Sequence, residues 1–509
     1  MVAAERAFVN TIAQNVRAFI NIGLSLYSTR LVLSALGAMD YGVFFLVAGV
    51  VGLLGFLTNA MVVTTQRYLS YTYGQGNLSQ VRQVFSDSYL LHLILGIILV
   101  AVCFSLCPWL GHLKIEPARL EPARWVYLLM IGSLFVTFVT APYRALFIAR
   151  ENIVYISVVD VLDGLFKLGG AFYLFHISQD SRLVGYACIM LCIMLFNYAA
   201  QALYARFLYA ECCLLPRIGH TDWSRLRQLF SFAGWTVYSM GCIISRNQGM
   251  AVVLNHFFGT LINAAYGIAM QVSGAAQYVS QALLNALSPQ IVKAEGRGDR
   301  RMMLHLSEAT CRYAVLLFSL VVVPLVCEMP AILHLWLDKV PDYAVFLCRC
   351  VLLASLCDQF TLALGTANQA IGQIRNYSIV VNTIKLFTLP VAWLFLKSGL
   401  PLLPVMVAYI ALEALGALAR LPFLHVQAGL PVYPFLVHVL GRSLPVVLFQ
   451  VAVGILCIHC VQSPLRFLLS VPACVVAGLL AAWFIGLEQA ERQWVSQLLK
   501  RYISKYSDR

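Results

Sequence analysis

Residues 88–110 read SYLLHLILGIILVAVCFSLCPWL, an apolar run without a single Asp, Glu, Lys or Arg. A run of that length can cross the hydrocarbon core of a bilayer as one helix, whose backbone polar groups are satisfied internally. Runs of the same kind recur along nearly the whole chain. Composition agrees, since 61% of the 509 residues are hydrophobic and only 11% charged, with a mean hydropathy of +0.81. A water-soluble core cannot use that much apolar surface. Long unbroken runs rather than short alternating segments exclude a barrel. The expected fold is an all-α integral membrane protein of about fourteen transmembrane helices.

Working outward from that run, apolar segments separated by polar breaks place spans at 12–35, 41–63, 88–110, 124–147, 153–176, 183–209 and 229–254. Further spans follow at 262–291, 313–336, 343–371, 377–397, 402–426, 435–461 and 465–487, before a basic tail. The first turns carry Glu5, Arg6, Asn10, Gln14 and Arg17 with no small-residue cleavage site behind a short apolar region, so the first segment is expected to be retained.

The net charge of +13 would draw attention to nucleic acid if the cations were gathered on one tract. They are scattered over short loops instead, which is the pattern of membrane orientation, and no nucleic-acid partner is expected. With both termini on one side, that side collects 23 basic residues, including five in the tail. The other holds nine: Arg30, Lys114, Arg119, Arg124, Arg182, Lys339, Arg349, Lys397 and Arg466. That asymmetry assigns both termini to the cytoplasm. The remaining three, Lys167, Arg246 and Lys385, fall inside spans. The 15 Cys residues lie mostly within apolar runs, where a thiol acts as a small apolar group. Even Cys457-Ile-His-Cys460 has no second pair to complete a metal-binding set, and neither metal nor cofactor is expected.

An internal repeat organises these spans. Leu36-Gly37 and Tyr41-Gly42 open the second span, which leads through Asn59-Ala60 to a loop with Gly74-Gln-Gly76-Asn77. Phe258-Gly259 and Tyr266-Gly267 open the eighth, which leads through Asn285-Ala286 to a loop with Gly296-Arg-Gly298-Asp299. An even number of spans separates the copies, so the halves are expected to share orientation and to be related by a pseudo-two-fold along the membrane normal. This divides the chain into an N-terminal lobe at 1–210, a C-terminal lobe at 211–428, and two extra helices with the tail at 429–509.

The pattern Leu36-Gly37-Ala-Met-Asp-Tyr41-Gly42 before a glycine-rich helix, then Arg67-Tyr-Leu-Ser70 and the glycine loop, resembles the bacterial polysaccharide flippases. These are the O-antigen and capsule repeat-unit translocators of the multidrug/oligosaccharidyl-lipid/polysaccharide (MOP) exporter superfamily. The similarity covers the whole chain in length, span number and two-lobe repeat. It implies two six-helix lobes with two C-terminal helices, location in the bacterial inner membrane, and alternating access. The cargo it implies is a polyprenyl-diphosphate-linked oligosaccharide, as used in lipopolysaccharide and capsule synthesis, with the lipid bilayer and H+ or Na+ as further partners.

Charge inside a span costs about 2.5–3.5 kcal/mol, so each such group should face a partner or a wet cavity. In the first span Asn10, Gln14, Arg17, Asn21, Ser25 and Ser28 recur at steps of three and four on one face. Arg17 and Asn21 either line a substrate vestibule or serve as helix-to-helix contacts. Gln271, Gln277, Gln281, Asn285 and Ser288 form a second amide row, suited to sugar hydroxyls and equally to interhelical hydrogen bonds. Arg246, beside Asn247, has no acid one turn away, so it requires a carboxylate from another helix or a ligand phosphate. Lys385 is a similar candidate. In the fifth span Asp163 and Lys167 have the acid-first i,i+4 spacing of an ion pair, which leaves Asp160 formally unpaired as a candidate ion-coupling site. Asp358 and Glu413 are rivals for that role, and Arg420, two turns from Glu413 on the same face, favours a structural role for Glu413.

No loop is large enough to hold a soluble active site, and no P-loop, GxSxG, HExxH or DxD cluster occurs. A non-enzymatic transporter is the expectation. A cation-coupled multidrug exporter of the same superfamily, or a membrane-embedded glycan polymerase or acyltransferase, are the alternatives.

Overall fold

The computed structural model describes residues 3–52, 54–112, 117–212, 222–337, 340–461, 465–493 and 496. Lys114, Arg217, Lys339 and the tail cations Lys500, Arg501, Lys505 and Arg509 lie outside the described residues. Among those described there are helices and no strand. The first eight helices are α1 Ala3–Gly52, α2 Gly55–Gln75, α3 Leu78–Ser105, α4 Pro117–Ala149, α5 Ile153–Tyr173, α6 Arg182–Leu208, α7 Trp223–Phe258 and α8 Thr260–Gly296. They continue as α9 Arg300–Cys327, α10 Met329–Trp336, α11 Ala344–Gln359, α12 Leu362–Ile371, α13 Ile374–Leu386, α14 Thr388–Lys397, α15 Leu402–Leu418, α16 Arg420–Ala428, α17 Val432–Cys460 and α18 Phe467–Ala481.

Every expected span falls on a helix or on consecutive helices. Nine helical stretches among the described residues are long and apolar enough to cross a membrane, ten if the bent pair α11 and α12 is one span. The expected spans outside that group are the second, fifth, seventh and eighth. Three of them carry conspicuous polar side chains: Asp160, Asp163 and Lys167 in α5, Arg246 in α7 and the amide row in α8. Large apolar residues such as Ile97, Val102, Leu448 and Leu456 are exposed on the more apolar helices, as a bilayer requires.

Two compact units form, Met1–Met240 with Asn285–Asp299, and Gly241–Leu284 with Arg300–Arg509. In the first, an aliphatic core around Val32, Ile131, Phe138, Leu174 and Ala187 adjoins an aromatic core. There Tyr155 stacks on Tyr204 with ring centroids 3.8 Å apart. In the second, Tyr266, Phe318, Leu333, Leu347, Val351 and Val405 share one core. Helices α17 and α18 pack on α9 as part of this unit, held at one end by Arg466 to Glu328 at 2.8 Å and at the other by Arg312 to Glu488 at 2.7 Å.

The repeat is written in the backbone. Gly37 and Gly259 adopt φ of 77° and 79°, and so do Gly76 and Gly298, a left-handed conformation that costs glycine little. Gly37 kinks α1, so that the first span runs directly into the second. Counterpart residues also meet one another within the first unit. Gln66 donates to Ser288 at 3.2 Å, and a Cβ built on Gly74 would stand 2.9 Å from the Cα of Gly296. A methyl on Gly296 would overlap the Tyr71 carbonyl oxygen, which is main chain and cannot rotate away. Gly296→Ala is therefore expected to destabilise by about 1–3 kcal/mol through overpacking, read as a lower melting temperature in detergent, whereas Gly55→Ala, with open space around it, leaves melting unchanged.

Candidate functional site

One span of the second unit is sharply bent, and an ion network gathers beside the bend. Helices α11 and α12 bend by 43° across Phe360-Thr361. At Phe387 and Ala419 the backbone stays in the right-handed helical region, so α13 with α14 and α15 with α16 continue as single spans. Asp358 stands two residues before the bend, and Lys385 and Arg420 reach it from the neighbouring spans. Interrupting a helix frees main-chain oxygens that need donors within the bundle. Arg420 supplies them, its guanidinium donating to the Asp358 carbonyl at 3.4 Å, to Thr361 Oγ1 at 3.3 Å and to Asp358 Oδ1 at 2.7 Å. Thr361 Oγ1 in turn donates to the Ala417 carbonyl at 3.0 Å.

Lys385 bridges two carboxylates, with Nζ 2.7 Å from Asp358 Oδ1 and 2.5 Å from Glu413 Oε1. The other oxygen of Glu413 pairs with Arg246 Nη1. Arg246 also donates to Asn247 Oδ1 at 3.1 and 3.0 Å, and its guanidinium carbon lies 5.3 Å from the Tyr409 ring centroid. Arg246, Lys385, Glu413 and Arg420 are between 6% and 8% exposed. The partner that Arg246 requires is thus a carboxylate from another helix. Glu413 does not pair with Arg420 along its own face: Arg420 pairs with Asp358 of α11, and Glu413 takes Arg246 and Lys385.

The first unit carries a related cluster on α1, α4 and α5. Asp160 is not unpaired. Arg144 grips it with two parallel bonds, Nη1 to Oδ1 at 3.0 Å and Nη2 to Oδ2 at 2.8 Å, and Arg17 Nη1 adds a third contact. Lys167 Nζ lies 2.7 Å from Asp163 Oδ2. Helix order exposes an exchange of sign. In the first unit the fourth span gives Arg144 and the fifth Asp160, whereas in the second unit the fourth gives Asp358 and the fifth Lys385. Counting Arg144 among the cytoplasmic-side cations, although it falls inside the fourth span, hid its pairing with Asp160. Its signal was Asp160 sixteen residues later, on the return limb of the same helical hairpin.

The amide rows divide. Asn10 donates to the Glu151 carbonyl at 2.9 Å, and Gln14 accepts from Asn285 at 3.3 Å, so these two hold helices together. Asn21 turns its Oδ1 toward Gly164 of α5. Gln277 bonds Ser273 at 3.0 Å and Ser355 at 3.1 Å. Gln271, Gln277 and Gln281 are exposed. Arg67 is buried, with its guanidinium carbon 4.6 Å from the Tyr68 ring centroid and 5.1 Å from that of Phe232. No group of three metal-ligating side chains occurs among the described residues.

No protein-family model matches the chain, and no curated protein matches it. Solved structures do. A MATE transporter in its bent conformation superposes with a TM-score of 0.73 at 14% identity, over 86% of this chain and 97% of that one. The MATE transporter ClbM, solved in complex with Rb+, gives 0.69 at 17% identity, over 82% and 94%. A MOP superfamily transporter from Pyrococcus furiosus, described as having a binding pocket of reverse polarity, gives 0.68 at 15% identity, over 83% and 96%. Identities this low carry the fold, and the fold of this chain is that of the MATE transporters of the MOP superfamily.

Proposed function

We propose that the protein is a membrane transporter of the MOP superfamily, specifically a flippase that moves a polyprenyl-diphosphate-linked oligosaccharide between leaflets by alternating access. The observation that carries this reading is a surplus of positive charge inside spans. Arg246, Lys385 and Arg420 face two carboxylates, Asp358 and Glu413. Arg17, Arg144 and Lys167 likewise face two, Asp160 and Asp163. An extra cation held away from water calls for an anion, and a diphosphate accepts parallel bonds from guanidinium. Arg17, Arg144 and Lys167, with side chains 22%, 34% and 34% exposed, are the accessible cations of the first cluster, and phosphate oxygens would compete with Asp160 for the two arginines. Arg17, Asn21, Arg246, Asn247 and Lys385 are assigned to the substrate path, with Gln277 and Gln281 offering amides to sugar hydroxyls. Both termini are assigned to the cytoplasm and the protein to the inner membrane, on the 23 to nine division of basic residues.

Reconstitution with a labelled lipid-diphosphate oligosaccharide tests the reading. Transfer between leaflets without covalent change is the expected result, and a new covalent product would replace a flippase with a polymerase or acyltransferase. A charge-assisted hydrogen bond contributes about 1.5–3 kcal/mol, so Arg17→Ala is expected to slow transfer by about ten- to a hundredfold, with the protein still correctly inserted. A cation-coupled multidrug exporter is the second reading, favoured by the fold shared with a multidrug resistance MATE transporter. Extrusion of a cationic dye without lipid transfer would support it instead.

A further inference from the structure

Three carboxylates inside spans are the natural seats for a coupling cation, and each is already taken by the chain itself. Asp160 is held by Arg17 and by both terminal nitrogens of Arg144. Asp358 is held by Lys385 and Arg420, both at 2.7 Å. Glu413 is held by Lys385 and Arg246.

The second unit makes the substitution clearest. Lys385 Nζ sits between carboxylate oxygens of two helices, α11 and α15, at 2.7 and 2.5 Å. Arg420 collects a carbonyl, a carboxylate and a hydroxyl oxygen at a helix break. Hard oxygen donors around an interrupted helix are the set that a small hard cation takes. A free cation entering here would have to displace an ammonium or guanidinium of equal charge that is covalently held at the site. It would otherwise raise the surplus of the network from one positive charge to two, inside a low-dielectric bundle where like charges repel strongly.

We propose that Lys385 and Arg420 stand in the positions of coupling cations, so that this protein binds no alkali cation in its second unit and transports without an alkali-cation gradient. The proposal goes beyond the flippase reading and does not depend on which substrate is carried, because its main test needs no substrate.

The purified protein is melted in detergent in NaCl, KCl, RbCl or choline chloride at matched ionic strength, alongside Lys385→Ala. Wild type is expected to melt at one temperature in all four salts. Lys385→Ala, which leaves carboxylate oxygens of Asp358 and Glu413 around a vacated position, is expected to gain a saturable upward shift with an alkali cation over choline. A saturable alkali-cation shift in wild type overturns the proposal, and so does a folded Lys385→Ala that responds to none of the cations. Should Lys385→Ala not fold, Arg420→Ala is read the same way, and the wild-type response alone still decides against the proposal if it is positive. In proteoliposomes carrying any transported substrate, an equal initial rate with internal and external choline replacing sodium is the corresponding expectation.

Discussion

Glu413→Ala is expected to destabilise the second unit by about 3–5 kcal/mol, the cost of leaving a buried charge without its counter-ion. Arg246, 8% exposed, would keep only Asn247 Oδ1 and the face of Tyr409, neither of which carries a compensating charge. Lys385 would retain Asp358 alone. The measurement is the melting temperature of the detergent-purified protein, with the yield of monodisperse protein as a second reading. Replacing both members of a buried pair by apolar residues of similar volume is often neutral or stabilising, so Arg246→Met/Glu413→Met is expected to recover most of the loss while abolishing transport. A single variant that melts like wild type would show that the pair is not desolvated as described.

The double variant Glu488→Ala/Glu491→Ala is expected to cost about as much, again about 3–5 kcal/mol. It strands Arg312, which is 2% exposed in the middle of α9 and otherwise bonds Glu488 Oε1 at 2.7 Å and Glu491 Oε1. Either single variant leaves the other carboxylate in place and should cost far less, so the two effects do not add. Melting temperature and protease sensitivity beyond α18 measure the outcome, and a loss merely equal to the sum of the singles would show two independent contacts. The anchor also responds to acid. Burial acts to raise the Glu488 pKa, but the Arg312 hydrogen bond and charge, with Arg442 nearby, outweigh it and hold the group below its ordinary value of 4.5. A carboxylate depressed on folding contributes stability above its unfolded pKa and loses it as pH falls through the folded one. The Glu488 contribution is therefore expected to persist at neutral pH and to fade only below about 4.5.

Arg246 and Arg420 mark how far the site could be read from residues alone. The absence of an acid within one turn of Arg246 correctly required a partner from elsewhere, and the neighbouring Asn247 indeed touches it. Nothing local selected Glu413, which lies on α15 beyond two intervening hairpins. Arg420 misled for the opposite reason. It and Glu413 both lie on the one continuous span Leu402–Ala428, but two turns separate them, and the Arg420 guanidinium meets Asp358 of α11 instead. Asp160 was read as unpaired because Arg144, inside the fourth span at 124–147, was counted with the cytoplasmic-side cations, while α4 presents it to α5.

What the sequence by itself determined is the membrane-spanning all-α class and the repeat. Both follow from local rules: an apolar run of span length must satisfy its backbone internally, and a glycine that must adopt positive φ leaves a mark at the same place in each copy, as at Gly37 and Gly259. What only the tertiary structure decided is which charges meet. Pairing depends on the rotation of each helix about its axis and on where it breaks. Both are set by packing among different helices, some neighbouring in sequence and some far apart, so the same cations that count alike in sequence become counter-ions in one place and, at Lys385, a bridge between two carboxylates.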